Sequence, residues 1–146
     1  MWSWGVIHHS SRTGRIVREI ARVLKPAGEA RVMVYNREGM AARVAFWRRH
    51  VARLGFLKRS FDETLFLATD GFMARYYTKD QFEDLFRTFF DDVSAQIFGQ
   101  EADVIPLPRQ LRHAALKLAS REWMARRQAV SGGFLFLTAR SPFAGR

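Results

Sequence analysis

The side chains of this chain best suited to acid–base chemistry are two adjacent histidines, His8 and His9, which close the segment Trp2-Ser3-Trp4-Gly5-Val6-Ile7-His8-His9-Ser10. An imidazole changes charge near neutrality and can take or give a proton there. The segment reads as the C-terminal end of a buried strand running into a polar turn, and strand ends of that kind carry the ligands of open α/β sheets. Neighbouring residues of an extended chain point to opposite sides, so the two rings are not expected to chelate one metal together. His50 and His113 stand alone on expected basic helices and are expected in solvent. Asp80, Glu83 and Asp84 read as negative charge at a helix start, so no metal site is expected. Asp91-Asp92 reads as turn chemistry. A glycine-rich phosphate loop, a G-x-S-x-G elbow and a His-Glu-x-x-His helix are all absent, which sets those chemistries aside.

A histidine pair at a strand end needs a helix after it and a sheet beside it. Ser11 can cap a helix whose apolar positions Ile16, Val17, Ile20, Val23 and Leu24 recur at helical spacing, with Arg12, Arg15, Arg18 and Arg22 on the other face. Pro26 stops that helix at Lys25, and Pro26-Ala27-Gly28 makes a tight turn with Gly28 available for a positive φ. Ala30 to Tyr35 follows as a strand that delivers Asn36 to its C-terminal end. Strand end, helix, turn and strand make one right-handed crossover unit of a parallel sheet.

Residues 37 to 77 break that rhythm. Arg43 to Leu57 reads as a basic amphipathic helix with Val44, Trp47, Val51 and Leu54 on one stripe. Such a helix can cover a pocket, lie on a membrane surface, or simply face solvent with its arginines. Ser60 to Tyr77 carries Phe61, Leu65, Phe66, Leu67, Phe72, Met73, Tyr76 and Tyr77, and so long and aromatic an insertion is expected to act as a lid. Thr78-Lys79-Asp80-Gln81 fits a capping box for a helix with Phe82, Leu85, Phe86 and Phe89 on its core face. Val93 to Ile97 reads as a short strand, Leu111 to about Arg127 as one basic helix, and Phe134 to Thr138 as a strand buried on both faces.

A length of 146 residues with 48% hydrophobic and 14% aromatic content fits one folded domain and argues against disorder. Cysteine is absent, which excludes disulfides and cysteine zinc sites; with no signal peptide and no transmembrane run, a cytoplasmic location is expected. The charge of +10 is distributed in blocks, with residues 1 to 59 at +10, 60 to 104 at −7 and 105 to 146 at +7. Basic blocks can attract nucleic acid or an anionic surface, but 20 of the 24 cations are arginine. Compositional bias and a solvated surface explain that equally well, so nucleic acid is not the expected partner.

Ser3-Trp4-Gly5-Val6-Ile7-His8-His9-Ser10, followed by Glu19-Ile20-Ala21-Arg22-Val23-Leu24-Lys25-Pro26-Ala27-Gly28-Glu29, resembles the second half of a class I S-adenosylmethionine-dependent methyltransferase of the type 11 kind. In that family a histidine-pair segment ends the fourth strand and an R-V-L-K-P-G-G run closes the next helix; Ala27 here replaces the first glycine. The resemblance implies an incomplete Rossmann-like α/β fold of strands four to seven, with a core at 1–36, a helical lid insertion at 37–77, and helices plus a closing strand pair at 78–146.

The resemblance also implies a cofactor, S-adenosyl-L-methionine, lined by Ser3, Gly5 and Val6, with His9 and His8 on the catalytic side and Asn36, Tyr76 and Tyr77 toward substrate. The histidines serve as base where the acceptor carries a proton, or only satisfy backbone groups at the strand end; an in-line methyl transfer otherwise rests on positioning. The family's glycine-rich loop and the acidic residue ending its second strand do not occur in this sequence. Met1 falls where the family has an apolar strand residue, as expected of a start within a longer or broken reading frame. Three readings follow: methyl transfer to a small-molecule or lipid-like acceptor, inactive in the isolated chain until a missing N-terminal segment is supplied; a non-catalytic remnant acting as an interaction module, self-associating through an exposed sheet edge; or a basic nucleic-acid or anionic-surface binder.

Overall fold

Leu135, Leu137 and Ala139 are buried and alternate with the partly exposed Phe134, Phe136 and Thr138, and this period of two decides which face the strand turns to the core, where Val32 and Val34 of its neighbour are also buried. The computed structural model describes residues 1–52, 57–66 and 74–143, apart from the side chains of Arg49, His50 and Arg109. In chain order these form β1 (Trp2–Trp4), a 3-10 turn (Ile7–His9), α1 (Thr13–Val23), β2 (Glu29–Asn36), α2 (Met40–Ala45) continued by a π-helical turn (Phe46–Val51), α3 (Phe61–Phe66), β3 (Tyr76–Tyr77), α4 (Lys79–Arg87), β4 (Phe90–Phe98), α5 (Glu101–Val104), α6 (Arg109–Leu118), α7 (Arg121–Ser131) and β5 (Phe134–Pro142).

The strands make one mixed sheet in the order β1-β2-β5-β4. β1 runs parallel to β2 from Trp2 opposite Arg31 to Trp4 opposite Met33, and β3 pairs parallel further along, Tyr35 opposite Tyr76. Because β5 takes the other side of β2, β1 and β3 share one edge of it in succession. β5 runs antiparallel to both β2 and β4. On one face, Val17 and Ile20 of α1 and Phe82 and Phe86 of α4 close over Val32, Val34, Ala95, Leu135 and Leu137 to form the core. Thr78 and Gln81 make the expected capping box, each side chain bonding the other's backbone N–H at 3.3 Å.

Several local expectations are corrected. Ser11 does not cap α1; the helix starts after Arg12 with no side-chain cap, while Ser10 Oγ accepts the Arg12 N–H at 3.0 Å. The helix ends at Val23, and Gly28 closes a turn onto the Lys25 carbonyl at 2.7 Å without a positive φ. What requires glycine there is space, since a Cβ would meet the Lys25 carbonyl oxygen at 2.9 Å and Leu24 Cγ at 2.8 Å. The helix expected at Arg43–Leu57 begins at Met40 and is described to Val51; Trp47 is exposed and Ala42 is the buried residue, while Leu54 lies outside the described residues. The single helix expected from Leu111 to Arg127 is two, because Ala119 is extended and Ser120 caps a new start through the Trp123 N–H at 3.2 Å.

Asp91 and Asp92 lie within β4 rather than in a turn, and Asp92 meets Arg140 of the neighbouring strand at 3.4 Å. β5 buries one face only: Phe134, Phe136 and Thr138 are partly exposed on the other, so its continuous apolar run does not mean burial on both sides. On that second face Trp2 and Trp4 lie ring on ring, centroids 5.6 Å apart and planes within 2°, beside Phe136 and Phe98. In the expected lid, α2, the π turn and α3 are described, whereas Leu67, Phe72 and Met73 lie outside the described residues.

Glu83 departs from its expected role as surface charge at a helix start. It is buried, its Oε1 accepts the Ala95 N–H of the edge strand β4 at 2.9 Å, and its Oε2 pairs with Arg87 at 2.7 Å. Replacing Glu83 by Ala strands that strand N–H beside the core, and a buried unsatisfied donor costs about 1–3 kcal/mol. Glu83→Ala is expected to lower the urea midpoint with an unchanged slope, and Glu83→Gln to lower it less.

Candidate functional site

The strand end is turned by Gly5. Its φ of +69°, accessible to glycine at little cost, breaks β1 while its N–H still reaches the Met33 carbonyl at 3.2 Å. Val6 is left exposed, and the 3-10 turn closes through His9 N–H to Val6 at 3.1 Å and Ser10 N–H to Ile7 at 3.2 Å. The turn divides the two histidines. His8 is fully buried, its ring 4.4 Å from that of Tyr35 and 4.3 Å from that of His9, whereas His9 is exposed. They lie in a tight turn and not in extended chain, so their rings are neighbours with different access to solvent.

Neither ring nitrogen of His8 has a hydrogen-bond partner among the described residues. Burial, reinforced by the neighbouring His9, lowers its pKa from 6.5 to about 4. At neutral pH His8 is therefore an uncharged, weakly basic imidazole, able to accept a hydrogen bond and unsuited to hold a proton. Among the described residues no group of three His, Asp or Glu side chains could hold a metal ion.

The other expected site residues separate. Tyr76 stacks on Tyr35 at 5.2 Å, which joins it to the histidine turn, and the next residue back, Arg75, donates its N–H to the His8 carbonyl at 2.9 Å. Tyr77 faces the other way, its hydroxyl donating to Thr13 Oγ1 at 3.0 Å. Asn36 is buried with its amide committed: Nδ2 donates to the Gly132 carbonyl at 2.8 Å and Oδ1 accepts the Glu38 N–H at 3.0 Å. It fixes the end of β2, with one amide N–H and one Oδ1 lone pair committed to the protein's own backbone. Ser3 is partly exposed in mid-strand, between the two tryptophans.

Two cavities flank this assembly. One, of about 350 Å³, is lined by Asp62, Glu63, Leu65, Phe66, Arg75 and Tyr76, and so lies between α3 and β3. The other, of about 280 Å³, lies where α1 and α4 begin, with Arg12, Thr13, Arg75 and Tyr77 in its wall. Arg75 belongs to both. Sequence reasoning missed Tyr35 and Arg75, although the run Arg75-Tyr76-Tyr77 just before a helix cap is a short strand signal that would have placed alternate side chains on opposite sides.

The mixed α/β fold, a sheet of parallel and antiparallel strands with helices packed on it, is similar to that of solved methyltransferase structures. Two solved structures carry that comparison. A chain of the complex between the Haloferax volcanii Trm112 methyltransferase activator and a protein described as a methyltransferase matches 99% of this chain at a TM-score of 0.51 and 21% identity. Haemonchus contortus phosphoethanolamine N-methyltransferase 2, solved with phosphomonomethylethanolamine and S-adenosylhomocysteine, matches 97% at a TM-score of 0.51 and 16% identity. At those identities the likeness is one of fold. The chain spans 54% of the first structure's chain and 33% of the second's. No family profile and no curated protein matches it.

The buried imidazole makes stability depend on pH in a defined direction. The unfolded chain takes up a proton on His8 near pH 6.5, the folded chain only near 4. The contribution is therefore fully present above pH 6.5 and is lost as pH falls from 6.5 to about 4, by at most about 3 kcal/mol. Urea midpoints across that window are expected to fall for the native sequence and to fall markedly less for His8→Phe; equal slopes for the two proteins would refute the assignment.

Proposed function

We propose that this chain supports S-adenosyl-L-methionine-dependent methyl transfer to a small-molecule or lipid-like acceptor. The observation that carries the reading is the end of β1, where Gly5 at φ +69° turns the backbone and exposes Val6 beside a histidine turn. A strand end of that shape offers backbone groups to the methionine portion of the cofactor, with Ser3, Gly5 and Val6 as its wall. A Cβ at Gly5 would have only Met33 Cε nearby, at 3.6 Å, so glycine is there for its backbone conformation. The fit to the cofactor is one-sided, because the sequence holds neither a glycine-rich loop nor an acidic strand end to grip the ribose.

In this reading the isolated chain is inactive and a further polypeptide segment supplies the missing contacts. One of the solved structures with a similar fold comes from a complex with an activator protein, a precedent in that system for a partner. The cofactor, when bound, supplies an electrophilic methyl group. His9 at the turn surface takes the acceptor's proton where there is one, and neutral His8 behind it holds the His9 and Tyr35 rings in place. Tyr76 belongs to the acceptor side and Asn36 to its foundation. The segments 1–36, 37–77 and 78–146 then act as core, lid and closing half.

A second reading is favoured by the partly exposed aromatic face carrying Trp2 and Trp4, next to a β1 edge that pairs with no strand among the described residues. It makes the chain an interaction module, and sedimentation that finds a monomer at all concentrations would count against it. For the principal reading, titrating S-adenosylhomocysteine into ¹⁵N-labelled chain is expected to shift the amides of Ser3 to His9 with a dissociation constant on the order of 1 mM or weaker. Shifts scattered over the surface would remove the cofactor assignment, and micromolar saturation would overturn the need for a second segment.

A further inference from the structure

The cavity of about 280 Å³ between the starts of α1 and α4 has a composition that the methyl-transfer reading does not use. Arg12 and Arg75, from segments far apart in sequence, both line it, and among the described residues neither has a carboxylate partner. No carboxylate is among the described lining residues. The acids of the neighbouring cavity are otherwise engaged: Asp62 pairs with Arg37 at 2.8 Å, and Glu63 accepts the Ser60 N–H at 2.8 Å. Arg12 and Arg75 are both exposed at this cavity, and an anion held there would be met by two positive charges with no carboxylate in the described lining to oppose it.

The remaining wall fits the same ligand. Tyr77 and Thr13 are locked to each other by their hydroxyls at 3.0 Å, and Thr13 Oγ1 is further tied to the Ser10 carbonyl at 3.2 Å, so this side is rigid. The two helix starts differ. α4 is closed by its own capping box, while α1, eleven residues long, has no side-chain cap and leaves its first-turn N–H groups at Thr13 and Gly14. Gly14 adds no Cβ, and the space one would take borders only on Leu85, at 3.8 Å. A volume of this size has room for the anionic group of a small molecule.

We propose that this cavity binds the anionic group, phosphate or carboxylate, of a small molecule, with Arg12 and Arg75 as its charge partners. Resting on the function proposed above, that molecule is the methyl acceptor: Arg75 lines both cavities, so an acceptor anchored here by its anion extends past Arg75 toward Tyr76 and the histidine turn.

The test needs neither cofactor nor activity, so its failure and the failure of the methyl-transfer reading are separate results. Inorganic phosphate and acetate are titrated into ¹⁵N-labelled chain at constant ionic strength. Saturable shifts at the amides of Thr13 and Gly14 and at Arg75 are expected, and the tighter of the two probes identifies the anion class. Arg12→Gln and Arg75→Gln are each expected to weaken binding by about tenfold or more, whereas Arg18→Gln, on an outward position of α1, leaves it unchanged. Unchanged amide dispersion in each variant certifies its fold, and Arg75→Lys is expected to recover part of the affinity. Shifts that fail to saturate, or that weaken equally in the Arg18 variant, would mean a generally cationic surface and would overturn the site.

Discussion

The sheet holds its shape because the end of β2 is bolted to the start of β5 by backbone packed directly on backbone. Asn36 N–H bonds the Gly133 carbonyl at 2.8 Å while its side chain reaches Gly132, and Asp103 Oδ2 accepts the N–H groups of Gln100 and Gly133 at 2.8 and 3.1 Å. The glycines are required by contact. A Cβ on Gly132 would strike the Phe98 carbonyl and come to 2.6 Å from that of Gln128, and one on Gly39 would come to 2.6 Å from the Gly132 carbonyl oxygen. Side chains at these positions would push the strands apart, and buried backbone groups that lose partners are costly. This junction sets the height at which Tyr35 meets Tyr76 and His8, so the geometry of the turn depends on glycines far from it in sequence.

The same junction recasts the charge pattern. Of the acidic middle block, Asp103 and Glu83 are buried structural acceptors, and Asp62, Asp84 and Asp92 each meet an arginine. Glu29 lies between Arg31 and Arg140, whose hydrogen bonds hold its carboxyl below the usual range. Each exposed pair contributes little to stability, and among the described residues Arg37 with Asp62 and Arg140 with Asp92 join a basic block to the acidic one. Arg12 and Arg75 are two of several arginines without a carboxylate partner among the described residues, and these two line one cavity.

What the sequence carried legibly was period and punctuation. The α4 cap, the strand through Val32 and Val34 and the crossover through α1 follow from local pattern, because apolar spacing and cap chemistry act over a few residues. The misread positions are those decided by distant neighbours. Glu83 looks like helix-start charge until β4 presents an N–H to it, and the bond from Asn36 to Gly132 is equally invisible in the local sequence. Phe134 to Leu137 reads as doubly buried because hydrophobicity records what a strand can bury and not what covers it. At the candidate site, the adjacency of His8 and His9 was visible, but a 3-10 turn that buries one ring and exposes the other was not, since nothing local distinguishes the two residues.

The stacked pair on the partly exposed face also bears on how the protein looks spectroscopically. Trp2, Trp4, Trp47 and Trp123 are all of its tryptophans, and each is exposed. Native emission therefore comes from indoles in contact with water, and its wavelength reports little on unfolding. With the Trp2 and Trp4 rings stacked in nearly parallel planes at 5.6 Å, their transitions couple and add a contribution from the sheet's first strand to the near-ultraviolet dichroic signal. A molecule that settles on that face changes both signals without a label, so this surface carries its own optical reporter.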